Sequence, residues 1–360
     1  MKMKKMKYTI VISLREESGL RFAARMPYYR SGRQRDEVMF DGHEITIVAE
    51  RNRTFDEQAI FMNVQNSLYN QMLKCLMIHY CYEGSNAGIT KITVHGEGLA
   101  DQDYERMFDG FQPFVVVEAP VAFDAAAMQQ LLQEDDESFK LRMIVAHWLT
   151  QGYAGDRQRR LECAWRTFEQ LCEHVRHVAP GARSNVIAGI EMMVNELTTN
   201  PAKYPQAAAV VHGETLESLR SLRWHDMIEN NYPEIANGGS ATIYEHYRKR
   251  MTAPYSDERV CQLMKAVLPY RKRELQNYGR YTHIENDLNS KIARHQTNDI
   301  DVVALLCHYA YYLRNRLFHG QTLVRGSIFD AHRDDEMRIE FLTKMLNTLT
   351  VELINNYRNL

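Results

Sequence analysis

Residues 299–319 read Asp-Ile-Asp-Val-Val-Ala-Leu-Leu-Cys-His-Tyr-Ala-Tyr-Tyr-Leu-Arg-Asn-Arg-Leu-Phe-His. The run opens on Thr297-Asn298-Asp299, residue types that cap helices, and is followed by Gly320, the usual residue after a last turn. Val302, Val303, Leu305, Leu306, Tyr309 and Leu313 recur at helical spacing, so the stretch predicts a helix with a core-facing stripe. Its last turn changes character. Arg314, Asn315, Arg316 and His319 bring two guanidinium groups, an amide and an imidazole to one helix end.

Outward from this helix the same periodicity continues. It predicts helices over 124–133, 139–151, 157–178, 184–197, 216–229, 241–251, 257–268, 286–295 and 334–357. Breakers separate several of them: Gly152 to Gly155, Pro180-Gly181, Asn200-Pro201, Pro205, Pro233 and Gly238-Gly239. Residues 121–360 are therefore expected to form an all-α helical bundle. Before Pro120 the pattern differs. Residues 8–14 alternate as a strand does. Asp41-Gly42 between two strand-like runs is a hairpin signal, because a tight turn needs positive φ. One long helix is expected over 56–82, carrying Ile60, Val64, Leu68, Leu73, Leu76 and Tyr80, with further strands at 89–95 and 111–118. Residues 1–120 thus predict a small α+β domain ahead of the larger helical one. A chain of 360 residues suits two cores better than one.

Composition excludes several classes. The chain is 45% hydrophobic and 25% charged, ordinary for a globular protein. Its formal net charge of −2 means that any surface for nucleic acid must be local. The cysteines Cys75, Cys81, Cys163, Cys172, Cys261 and Cys307 form no CxxC pair, which argues against zinc and for a reducing cytoplasm. The basic start, Met1 to Lys7, leads into a short apolar run that ends at Arg15-Glu16-Glu17 and reads as a first strand, not a leader. No stretch is apolar for long enough to span a membrane. No P-loop, GxGxxG, GxSxG or HExxH motif occurs.

The run Arg314-Asn-Arg-Leu-Phe-His319, with Tyr311-Tyr312 before it and Gly320 after it, resembles the arginine-to-histidine signature of the HEPN superfamily. That signature has a small polar residue after the arginine, where Asn315 stands. Upstream, Trp165 and Phe168 resemble the aromatic pair on the first core helix of many HEPN domains. The resemblance covers residues 157–358 and requires helices inserted between those two motifs. It implies a metal-independent endoribonuclease with no cofactor, acting on tRNA or mRNA as a homodimer, in a defence or growth-arrest role. It also implies products with 2′,3′-cyclic phosphate and 5′-hydroxyl ends. Gln321 occupies the position where members silenced by nucleotidyl transfer carry tyrosine, so that control is not expected.

The chemistry suits those residues. The 2′-OH must attack the adjacent phosphate; a histidine exchanges protons near neutral pH, and an arginine pairs with the phosphate as its charge grows. Five residues of α-helix separate Arg314 from His319 by about 7.5 Å of rise and about 140° of rotation. One pair therefore grips a single phosphate poorly, and two pairs converging across a dimer axis would serve better. The expected catalytic set is Arg314, Asn315 and His319. Asn315 would orient the histidine or a phosphate oxygen. Arg316 and Tyr312 would contact RNA.

A second cationic feature lies at 244–294, where eleven basic residues oppose six acidic ones, an excess of five positive charges. Tyr247, Tyr255, Tyr270, Tyr278 and Tyr281 are interleaved, as a single-stranded RNA surface would require. Arg271, Lys272 and Arg273 are its densest part. A solvated helical face gives the same pattern. His174 and His177 share a helix face without a third ligand and read as a solvent-facing pair, and Glu134 to Glu137 reads as a solvated acidic cap. The alternative to a nuclease is a non-catalytic RNA- or protein-binding module of the same fold, with the N-terminal domain sensing a trigger or binding a regulatory partner.

Overall fold

The computed structural model describes residues 5–28, 34–84, 88–97, 99, 103–108, 121–133, 144–178, 186–212, 299–318 and 333–356. The chain divides into two compact units: Met1–Glu118 with Ala122–Ala154, and Ala119–Val121 with Gly155–Leu360. The first is α+β and the second is helical throughout its described residues. Among the described residues no helix is long and apolar enough to cross a membrane.

In the first unit, β1 (Met6–Leu14), β2 (Arg21–Pro27), β3 (Arg35–Asp41), β4 (Glu44–Arg51), β5 (Ile89–Gly96) and β6 (Tyr104–Met107) form one antiparallel sheet, ordered β2-β3-β4-β1-β5-β6. Period-two alternation puts Tyr8, Ile10, Ile12, Val38, Phe40, Ile45, Ile47, Ile92 and Val94 on one buried face. Two helices follow β4: α1 (Glu57–Met62) and α2 (Ser67–Glu83). The single helix expected over 56–82 is thus two. Asn66 ends the turn between them and accepts the Leu68 N–H at 2.8 Å, an N-cap that starts a new helix. The break shifts the apolar face. Leu68, Met72, Cys75 and Ile78 are buried, while Val64 and Leu73 are 67% and 44% exposed.

The hairpin loop is Gly42-His43, one residue later than the Asp41-Gly42 centre expected. Gly42 takes φ +94. Asp41 closes β3, and its carboxylate accepts the N–H groups of His43 and Glu44 at 2.9 and 2.8 Å. Those two donors hold its pKa below the ordinary value. Strands β2 and β6 carried no clear alternation and were not expected. The strand expected at 111–118 lies outside the described residues.

The first unit extends past the boundary expected at 120, because helix α3 (Ala125–Gln133) belongs with the sheet. It packs against edge strand β2, and Gln129 Nε2 donates to the Ala23 carbonyl at 2.8 Å. Covering an edge strand prevents it from pairing with another chain. A short helix α4 over 144–149 follows, with Trp148 buried edge-on against Phe123 at 5.1 Å between ring centroids.

The second unit contains α5 (Arg157–Val178), α6 (Val186–Thr199), α7 over 205–212, α8 (Asp299–Phe318) and α9 (Arg333–Asn355). Helix α5 packs against α6 and α9, and α8 packs against α6, α5 and α9. The helices expected at 216–295 lie outside the described residues. Helix α7 was not expected, because Pro205 reads as a breaker; here it is the first helical residue, where its missing N–H costs nothing. Gln206 and Ala207 donate their N–H groups to the Glu352 carboxylate of α9 at 2.8 and 2.9 Å. The next N–H, of Ala208, reaches the Tyr204 carbonyl at 3.2 Å, so the helix start is fully paired.

Candidate functional site

Helix α8 has two parts. From Ile300 to Tyr312 nearly every side chain is buried, including Val302, Val303, Leu305, Leu306, Tyr309 and Tyr312. A helix buried on nearly every side lies at the centre of its bundle, here with the polar Asp301 also buried. From Leu313 to Leu317 the side chains are half-buried, and the polar motif begins there.

The Trp165 side chain of α5 meets this transition. Trp165 is 1% exposed and its ring lies 5.8 Å from that of Tyr311, with Phe168 beside it at 5.5 Å. Cys172 lies near Cys307. The contacts reverse in order along the chain, so α5 and α8 run antiparallel, and the motif end of α8 lies toward the start of α5.

Within the motif, Arg314 Nη1 donates to Asn315 Oδ1 at 2.9 Å. Arg316 Nη1 donates to the Tyr312 hydroxyl at 2.8 Å, with the guanidinium carbon 5.7 Å from the Tyr312 ring centroid. Two residues apart, Arg314 and Arg316 leave the helix about 200° apart. Tyr312 differs from expectation. It is 2% exposed, so its ring is not a platform for a base. Its hydroxyl fixes Arg316 instead. His319 lies outside the described residues, as do Arg271, Lys272 and Arg273. The structure therefore shows two separate pairs, Arg314 with Asn315 and Arg316 with Tyr312.

One pairing was not anticipated. His212, the last residue of α7, places Nδ1 2.8 Å from Asp299 Oδ2 at the start of α8. The described residues that flank positions 213–298, which contain the basic segment, therefore meet. Eighty-seven positions separate the partners, and nothing in local sequence pattern links them. His174, expected to face solvent, is 8% exposed.

Burial raises the thiol pKa values of Cys75, Cys81, Cys172 and Cys307, which keeps them protonated and unreactive. Among the described residues no three His, Cys, Asp or Glu side chains gather as a cation's ligands would. No family model, curated protein or solved structure matches the chain.

Proposed function

We propose that the helical unit is a HEPN-type, metal-independent endoribonuclease that acts as a homodimer, in a defence or growth-arrest role. The observation that carries this reading is the run Arg314-Asn315-Arg316-Leu317-Phe318-His319 at the end of a bundle's central helix. Two further features support it. The Trp165/Phe168 helix packs on that same helix through Tyr311, and Asn315 already holds the Arg314 guanidinium.

His319 serves as the proton-transfer group, and Arg314 stabilises the phosphate as its charge grows. Asn315 positions Arg314. Arg316, held by Tyr312, supplies a second fixed cation at the helix end. The basic segment 244–294 holds the RNA strand, and the α+β unit restrains or triggers cutting. The test is cleavage of total RNA or tRNA in EDTA. The wild type should cut and leave 2′,3′-cyclic phosphate ends, and His319→Ala should lower the rate by about 10²–10⁴, the usual range for a lost proton-transfer group. RNA left intact by the wild type, or cut equally by the variant, removes the catalytic reading.

A second reading has its own observation. Both described guanidinium groups of the motif bond to side chains of their own helix. Guanidinium groups already engaged within their own helix suit a non-catalytic RNA- or protein-binding module. Binding of RNA without cleavage would favour it.

A further inference from the structure

His79 lies on α2, on the side that packs toward the start of β5. Its side chain is 2% exposed, and among the described residues neither ring nitrogen has a hydrogen-bond partner. Nearly all buried polar groups in proteins are paired, so a buried imidazole with both nitrogens bare is exceptional. The packing explains how it fits. A Cβ at Gly88 would come within 3.1 Å of Nε2, a contact tight enough that the ring would have to give by a few tenths of an ångström. On the other side lies the Tyr80 ring, 5.8 Å away between centroids.

The neutral ring leaves one donor and one acceptor unpaired. The protonated ring would leave two donors and a charge unpaired, which costs far more in a desolvated site. Among the described residues the charge that acts on the ring is Glu83, one turn further along α2, and its carboxylate accepts the Ser18 hydroxyl at 2.6 Å. From the strand side the ring meets Gly88, which has no side chain. Among the described residues no acceptor is placed to receive a proton from either nitrogen.

We propose that the corner between α2 and β5 is an acid-sensitive element of the α+β unit, which opens when His79 takes up a proton. Opening would admit water to the ring and separate the end of α2 from its neighbours. One of these is Val145, whose carbonyl accepts the Cys81 Sγ–H at 3.5 Å. Acidification would thus loosen the α2 end from both the sheet and α4. This inference is independent of the ribonuclease reading.

The sign follows from burial. Desolvation lowers the folded-state pKa of His79 below its ordinary 6.5. The unfolded or opened form then binds the proton more readily. Stability from this site is full above pH 6.5 and is lost as pH falls toward the folded value, by at most about tenfold in the opening equilibrium per pH unit.

The experiment is hydrogen exchange of peptides covering α2 and β5 in the full chain, comparing wild type with His79→Leu at pH 7.5 and 5.5. Comparing at one pH cancels the intrinsic exchange rate. The ratio of wild-type to variant exchange should rise between the two values, by up to about tenfold. An unchanged ratio overturns the proposal. If His79→Leu does not fold, an imidazole NMR titration of the unsubstituted chain decides instead. A His79 ring that stays neutral in the folded protein well below pH 6.5 upholds it, and one that titrates at or above 6.5 overturns it.

Discussion

Arg51 and Asp36 form a two-pronged ion pair inside the α+β unit, both contacts at 2.7 Å, with side chains only 5% and 1% exposed. Arg51 Nε also donates to Ser67 Oγ at 2.8 Å, and Gln71 Nε2 donates to Asp36 Oδ2 at 2.9 Å. The network joins β3, β4 and α2, and every member is paired. Asp36→Ala should therefore cost about 3–5 kcal/mol, because it strands a buried guanidinium. Replacing Asp36 and Arg51 together by apolar residues of similar volume should cost much less. Urea unfolding of the two variants checks both, and equal losses would contradict the account. Tyr312→Phe belongs to the same scale. It removes the hydroxyl that holds Arg316, at about 1 kcal/mol of stability. On the proposed function it should weaken RNA binding and raise KM more than it lowers kcat, because Arg316 is positioned through it. A steady-state comparison with Arg316→Ala reads the split.

At the scale of elements, long and strongly periodic segments were the legible ones. Helix α5 spans 157–178 as its apolar spacing predicts, and α8 begins at Asp299. What was not legible depended on partners distant in sequence. Pro205 reads as a stop, and it becomes a start because Glu352, on another helix, supplies the missing cap. The loop at Gly42 moved by one residue because Asp41 spends its carboxylate on the backbone. Strand β2 lacks alternation because Ala23 and Ala24 are both small, and its place comes from β3 and α3. The Glu352 cap gives a prediction here. Glu352→Ala should lower stability by about 1–2 kcal/mol through loss of two N–H partners. Glu352→Gln keeps one acceptor oxygen and turns its amide NH2 toward the other N–H, so at neutral pH it should fall between the wild type and Glu352→Ala. Burial raises the Glu352 carboxyl above its ordinary 4.5, against the pull of the two N–H donors. A raised carboxyl favours the protonated fold, so this contribution is full below pH 4.5 and is lost as pH rises through the folded value. Glu352→Gln removes that loss. Thermal melts between pH 4 and 7.5 should show the variant gaining on the wild type as pH rises, and a constant difference would contradict this.

For the whole molecule, the sequence announces an α+β unit and then a helical one, and the structure has both. The division falls later than expected because α3 packs on an edge strand of the sheet and α4 belongs to the same unit. The candidate site is legible as a motif but not as an arrangement, since Tyr312 turned out to be buried and to act on Arg316. An ideal helix carried on to residue 319 would set Arg314 and His319 about 140° apart, so the proposed site draws its productive pair from two protomers. Mixing the two inactive variants tests it most directly. Arg314→Ala and His319→Ala should each fail to cut RNA in EDTA. Mixed dimers should regain cleavage, because the intact His319 of one protomer faces the intact Arg314 of its partner. A mixture that stays inactive while the wild type cuts would place the pair within one protomer and contradict the account.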